Sequence, residues 1–231
     1  MAVITISRQY GSAGDEISNE VCQQLGYHQF DRRQIAKAAA EAGFSEQEII
    51  HYSEYLEESY KLKKFVDHLL RRKPNPSPKP AERLESITRA LNAEDQLYNE
   101  ASALALVQKA IKEAYQFGNM LIIGRGGQMV LRDYLGVLHI RIEAPLEYRI
   151  QRVNSRLREE QQSYYPQIEV RRAAQDLITE RDSDSASYIR RFYGADWNDP
   201  FLYHAVLNTA KLSVEQAAKI IVEMVRAMFP E

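Results

Sequence analysis

Short apolar runs, separated by long stretches of helical periodicity, set the architecture of this chain. Val3-Ile4-Thr5-Ile6 is β-branched and reads as a buried strand. From Glu16 to Gly26 the pattern becomes helical, with Ile17, Val21 and Leu25 spaced by four and Gly26 as the stop. Tyr27 to Asp31 is a short strand candidate, and Asp31 can cap a helix that starts at Arg32. Met120-Leu121-Ile122-Ile123 predicts a further buried strand, ended by Gly124-Arg125-Gly126-Gly127. Gly136 to Ala144 predicts another, with alternation around His139, Arg141 and Glu143. Pro145 opens a helix at its first turn. Ile168 to Thr179 is a helix leading to the polar stretch Glu180-Arg181-Asp182-Ser183-Asp184-Ser185. Ala205 to Thr209 is the last strand, and Ser213 caps a final amphipathic helix through Ala217, Ile220, Ile221, Met224 and Val225. Strands alternating with helices imply the α/β class, a mostly parallel sheet with helices on both faces.

Between the second and third strands lies a different pattern. Residues 45 to 116 read as almost wholly helical, with a plausible capped start at Ser45. The stretch is interrupted by Pro74, Pro76, Pro78 and Pro80, four prolines in seven residues, which no helix accepts. A helix from Asp95 to about Phe117 closes it at Gly118.

Composition narrows the function classes. A net charge of −2 over 231 residues gives no global attraction to nucleic acid or an anionic membrane. The lone Cys22 excludes an intrachain disulfide and suits a reducing cytosol. No apolar run approaches the ~20 residues a bilayer span requires. The expectation is a cytoplasmic protein acting on small molecules, with no nucleic-acid or membrane partner.

Two places carry candidate chemistry. The first is the small-residue run Gly11-Ser12-Ala13-Gly14 between strand and helix, the layout of a phosphate-binding loop. The usual pattern ends in Gly-Lys-Ser/Thr. Here Asp15 and Glu16 stand where the lysine and hydroxyl would be, if Gly14 is the second glycine. An ordinary strand–helix turn without ligand gives the same pattern. The second place is Arg125 among glycines at a strand's C-terminal end. There it can present a two-pronged donor to a phosphate or carboxylate. Asp31 and Arg32 could serve a polar ligand in the same way, or only cap a helix. Arg149, Arg152, Arg156 and Arg158 recur at three- and four-residue spacing, so some of them share a helix face. Pairing to Glu147, Glu159 and Glu160 is the plain expectation for that helix. His139 has no motif partner and reads as structural.

In order and spacing, several of these residues resemble the cytidylate kinase-like group of P-loop proteins, related to nucleoside monophosphate kinases. The resemblance rests on Ile4-Thr5-Ile6-Ser7-Arg8-Gln9-Tyr10-Gly11-Ser12-x-Gly14, on Phe30-Asp31-Arg32 and on Ile123-Gly124-Arg125-Gly126. It continues through Ala144-Pro145-x-x-x-Arg149, Arg181-Asp182, Tyr193-Gly194-x-x-Trp197-x-x-Pro200 and Leu207-Asn208-Thr209. It implies one P-loop kinase-like domain over 1–231, with a helical substrate-binding insertion at about 35–116 and an Arg-bearing lid at about 155–192. It implies phosphoryl transfer from ATP, with Mg2+, to a nucleoside monophosphate such as CMP. Arg8, Gly11, Ser12, Ala13, Gly14, Asp15 and Glu16 would bind the nucleotide, and Asp31, Arg32 and Arg125 the acceptor. Arg125, Arg181 and Asp182 would be catalytic, and no residue is singled out as a magnesium ligand. The chain departs from the group at Asp15, where an arginine is common, and at Gly126, where cytidylate kinases carry an aspartate. A nucleotide-binding protein with little catalysis is the other reading that these departures leave.

Overall fold

The computed structural model describes residues 2–30, 104, 105, 107–161 and 167–230. The chain divides into two units, Met1–Ile35 with Ala110–Glu231, and Ala36–Lys109. Most of the second unit lies outside the described residues. So do Asp31, Arg32, the Pro74–Pro80 stretch and the helices expected between 45 and 100.

The first unit is an α/β sandwich. Its elements run β1 (Val3–Arg8), α1 (Gly14–Leu25), β2 (His28–Phe30), α2 (helical over 107–117), β3 (Met120–Ile123), α3 (Gly127–Val130) and β4 (Val137–Glu143). Then follow α4 (Leu146–Gln161), α5 (Gln167–Tyr193), a 3-10 turn (Pro200–Leu202), β5 (Ala205–Asn208) and α6 (Val214–Met228). The five strands form one parallel sheet in the order β2-β3-β1-β4-β5. The expected class, a parallel sheet with helices on both faces, is what the chain forms.

Register decides what each face buries. Ile4 lies beside Leu121 and Leu138, and Ile6 beside Ile123 and Ile140. These side chains share one core with Ile17 and Val21 of α1 and Ala217, Ala218, Ile221, Val222 and Val225 of α6. Each such aliphatic side chain contributes about 1.5–3 kcal/mol on burial. α6 begins at a capping box, in which the Ser213 hydroxyl accepts from Gln216 N–H and the Gln216 side chain accepts from Ser213 N–H. Cys22 packs at the edge of this core, and burial pushes its thiol up to about 11, as an unreactive structural cysteine requires.

The opposite face carries polar side chains as well. His139 and Arg141, in the alternating stretch, are both buried, Arg141 to 1% exposure. Strand β4 lies inside the sheet and is covered on both sides, so its polar positions need internal partners. The Arg141 guanidinium donates to the Trp197 carbonyl (2.7 Å), Asn198 Oδ1 (2.8 Å) and Glu143 Oε2 (3.1 Å), and lies 4.3 Å from the Trp197 ring. Trp197 Nε1 in turn donates to Ser7 Oγ (2.8 Å). His139 Nδ1 is 2.7 Å from Thr5 Oγ1, and its backbone N–H donates to His204 Nδ1. Burial, and then the neighbouring His204, push His139 down to about 4, so it is neutral and structural, as the sequence suggests.

The polar stretch from Glu180 is also not a connection. α5 runs unbroken for 27 residues from Gln167 to Tyr193. Ala174, Ile178, Arg181 and Ile189 are buried at helical spacing, and α4 supplies Ile150 and Val153 against the first two. Packing on that face overrides the weak helix propensity of Ser183, Asp184 and Ser185.

Candidate active site

The strand order creates a crevice. From β1 the chain moves to one side of the sheet, and from β3 it crosses to the other. β1 and β3 are neighbours, so their C-terminal loops flank a topological switch point, where open α/β sheets bind ligands.

The loop after β1 is braced from beneath. Ser12 Oγ lies 2.7 Å from the Gln9 carbonyl and 3.2 Å from that of Ile142, and the Ser12 carbonyl accepts from Thr209 Oγ1 (3.0 Å). Gly11 has φ +80°, and a Cβ there would stand 2.9 Å from Val153 Cγ2 and 3.2 Å from the Arg149 carbonyl, so only glycine lets the loop rest on α4. Ala13 adopts a left-handed conformation, φ 62°, and turns the chain into α1 two residues earlier than the sequence pattern suggests. The first helical bond runs from Ile17 N–H to the Ala13 carbonyl (3.0 Å), and no side chain caps the helix. The N–H groups of Gly14, Asp15 and Glu16 therefore precede the hydrogen-bond ladder, with the positive end of the helix dipole behind them.

Arg8, the last residue of β1, runs between the two loops. A Cβ at Gly14 would lie 2.6 Å from Arg8 Cβ, and one at Gly124 would lie 2.8 Å from Arg8 Nη1. The guanidinium thus sits at the switch point. Its Nε is 3.1 Å from Asp15 Oδ1, and the Asp15 side chain is 67% exposed. The next acid is also paired, with Arg152 Nη2 donating to Glu16 Oε1 (2.7 Å).

The loop after β3 is built differently. Gly124, Arg125 and Gly126 have φ of 68°, 55° and 69°, three consecutive left-handed residues. Tyr193 covers Gly126 so closely that a Cβ there would meet its Cε2 at 2.7 Å. The Tyr188 hydroxyl reaches the Arg125 carbonyl at 3.5 Å. Burial, and then Tyr193, raise the Tyr188 hydroxyl well above the usual tyrosine range.

Arg181 and Asp182 lie on α5 beside the first loop. The Arg181 guanidinium carbon is 5.9 Å from the Tyr10 ring centroid. Asp182 accepts from Tyr10 N–H (2.9 Å) and from Arg149 Nη1 (2.6 Å), and Arg149 also donates to the carbonyls of Ala144 (2.9 Å) and Tyr10 (3.1 Å). The structure thus brings Arg8, Gly11 to Glu16, Arg181 and Asp182 around one loop and Arg125 onto the neighbouring one. Tyr10, Arg149, Tyr188 and Tyr193 were not singled out as site residues from the sequence. The face expected to be shared among the arginines after Pro145, and the motifs that include Tyr10, Arg149 and Tyr193, pointed there. Arg149 meets Asp182, Arg152 meets Glu16 and Arg156 meets Tyr10, while Glu147 pairs with Arg171; the side chains of Glu159 and Glu160 lie outside the described residues.

The sequence profile of the cytidylate kinase-like family matches residues 3–211, which takes in every strand and both loops. This chain belongs to the cytidylate kinase-like family. Among curated proteins none matches it in sequence. Its fold is similar to that of an uncharacterized protein from Eubacterium ventriosum ATCC 27560. That likeness has a TM-score of 0.61 at 13% identity and covers 98% of this chain and 99% of that one. A shikimate kinase from Acinetobacter baumannii, in complex with shikimate, aligns over 100% of this chain and 96% of its own at 10% identity. Its TM-score of 0.47 is too low to carry an argument. For a cytidylate kinase-like chain, the departure at Gly126 has a steric reason, since the Tyr193 ring fills the space of a side chain. Among the described residues, no group of three or more His, Cys, Asp or Glu side chains is arranged to hold a metal, and no helix is long and apolar enough to cross a membrane.

Proposed function

We propose that this protein transfers a phosphoryl group from ATP to a nucleoside monophosphate such as CMP. The observation that supports it is Arg8 lying at the switch point between the two glycine loops. In this reading the triphosphate rests on the N–H groups at the start of α1, and Arg8 supplies the cation that the motif lysine supplies elsewhere. Arg125 binds the acceptor's phosphate through its planar fork, and Arg181 neutralises charge on the transferring group. Asp182 acts at one remove, holding Tyr10 and Arg149 in place. Magnesium would offset phosphate charge in such a transfer; Asp15 and Glu16 are held by Arg8 and Arg152, so the chain assigns it no ligand among the described residues. The cytoplasm, where such nucleotides are abundant, fits this chemistry.

One observation favours the second reading, a nucleotide-binding protein with little catalysis. Arg8 is already paired with Asp15, so part of its charge is spoken for. The test is a coupled turnover assay with ATP, magnesium and a panel of nucleoside monophosphates, run beside thermal denaturation with the same nucleotides. Turnover with one monophosphate supports the kinase reading and names the acceptor. Stabilisation without turnover supports the binding reading. Neither effect would overturn both.

A further inference from the structure

Tyr10 sits immediately before the Gly11 turn and joins the loop to both α4 and α5. Its N–H donates to Asp182 Oδ1 (2.9 Å), and its carbonyl accepts from Arg149 Nη1 (3.1 Å). Arg149 and Asp182 bond each other at 2.6 Å, so one buried ion pair holds both peptide groups of Tyr10. The ring then packs against Ile150, Val153, Ala174 and Ile178, the core between α4 and α5. With backbone and ring both held, the direction of the side chain is set.

Two guanidinium groups converge on that ring from different helices. The Arg156 carbon lies 5.3 Å from the centroid and the Arg181 carbon 5.9 Å, both within cation–π range. Arg156 also donates to the Tyr10 hydroxyl. Arg181 is 9% exposed, so its charge is held largely out of water beside the loop. Both guanidinium groups thus meet one aromatic π-system.

We propose that Tyr10 is a positioning residue that holds Arg156 and Arg181 ready for the phosphates of the triphosphate. This rests on the reading that a triphosphate binds the loop after β1. An arginine already held in place loses less freedom when a phosphate arrives, so the ring raises affinity without touching the ligand. A leucine would fill the same apolar niche between α4 and α5 and offer no π-face.

The experiment is calorimetric titration of the full chain with ATP and with inorganic tripolyphosphate at two salt concentrations, alongside melting temperatures. Tyr10→Leu should weaken both ligands about tenfold, the equivalent of ~1.4 kcal/mol, and flatten the salt dependence. Tyr10→Trp and Tyr10→Phe keep an aromatic face and lose the hydroxyl that Arg156 reaches, so both should fall between wild type and the leucine variant, within about threefold of wild type. Leucine and tryptophan variants weakened alike, or a leucine variant that binds as wild type does, would overturn the role of Tyr10. Wild type that binds neither ligand would overturn the triphosphate reading, and this one with it. Should Tyr10→Leu fail to fold, Arg156→Gln alone and combined with Tyr10→Phe decides the matter. The effect of the phenylalanine should vanish once Arg156 is gone, and two independent, additive losses would refute the coupling.

Discussion

The loops after β1 and β3 stand side by side at the switch point, yet they are held by opposite means. The first is pinned by side chains, its own Ser12 and others from distant elements. Ser12 reaches Gln9 and Ile142, Thr209 reaches Ser12, and the Arg149–Asp182 pair takes both peptide groups of Tyr10. The second is shaped by its own backbone, three left-handed residues in succession under the Tyr188 and Tyr193 rings. A non-glycine residue in that region costs about 1–2 kcal/mol, and such strain gathers where function needs a fixed group. In the proposed function the first loop presents backbone donors that must not move, and the second presents one side chain, Arg125, whose starting point the strain sets.

The contrast can be broken most severely at the clamp. Asp182→Ala would leave the Arg149 charge, 7% exposed, without its carboxylate, and should cost about 3 kcal/mol, read as a fall in melting temperature. A variant that keeps its melting temperature while losing activity would instead mark Asp182 as acting on the substrate directly. Next in size is Gly126→Ala in the second loop. It adds a left-handed penalty to a clash with the Tyr193 ring, for about 2 kcal/mol, whereas Gly26→Ala, with φ 67° and open space around it, should cost only about 1 kcal/mol. Equal losses at the two sites, measured by denaturant titration, would show that Tyr193 gives way freely.

A third substitution sharpens the comparison. Arg125→Gly relieves the strain at φ 55° and should leave stability unchanged or raise it by up to about 1 kcal/mol, while acceptor binding is lost. Arg125→Lys should keep the melting temperature and still weaken acceptor binding, because lysine lacks the planar fork. A large drop in stability for either would make Arg125 a structural ion-pair residue. The smallest expected effect is at Asp15. Its ion pair with Arg8 is solvent-exposed, so Asp15→Asn should change stability by less than about 1 kcal/mol. By releasing Arg8 it should tighten ATP binding by about fivefold at low salt, the ~1 kcal/mol of a pair in water, and the gain should shrink as salt rises. An affinity unchanged at low salt would place the triphosphate elsewhere than this loop.

Much of this molecule was legible from local pattern. β-branched runs marked the strands, four-residue spacing marked α1, and Ser213 marked the start of α6, because each signal depends on neighbours within one turn or one pleat. The order of short motifs was enough to recognise the cytidylate kinase-like family, and both glycine loops fell where expected at strand ends. Closure of the sheet decided the rest. Alternation in β4 did not say what its polar residues meet; its place between β1 and β5 buried Arg141 and His139. The pattern ended a helix at Thr179, but the apolar face shared with α4 kept α5 helical to Tyr193. The partners of the arginines were equally out of reach, because Tyr10 meets Asp182 across 172 residues and Ser7 meets Trp197 across 190. A sequence determines which groups a segment offers through its own periodicity. Which distant group answers is decided only when the strands pair and the helices pack, since those pairings depend on register and crossover rather than on spacing along the chain.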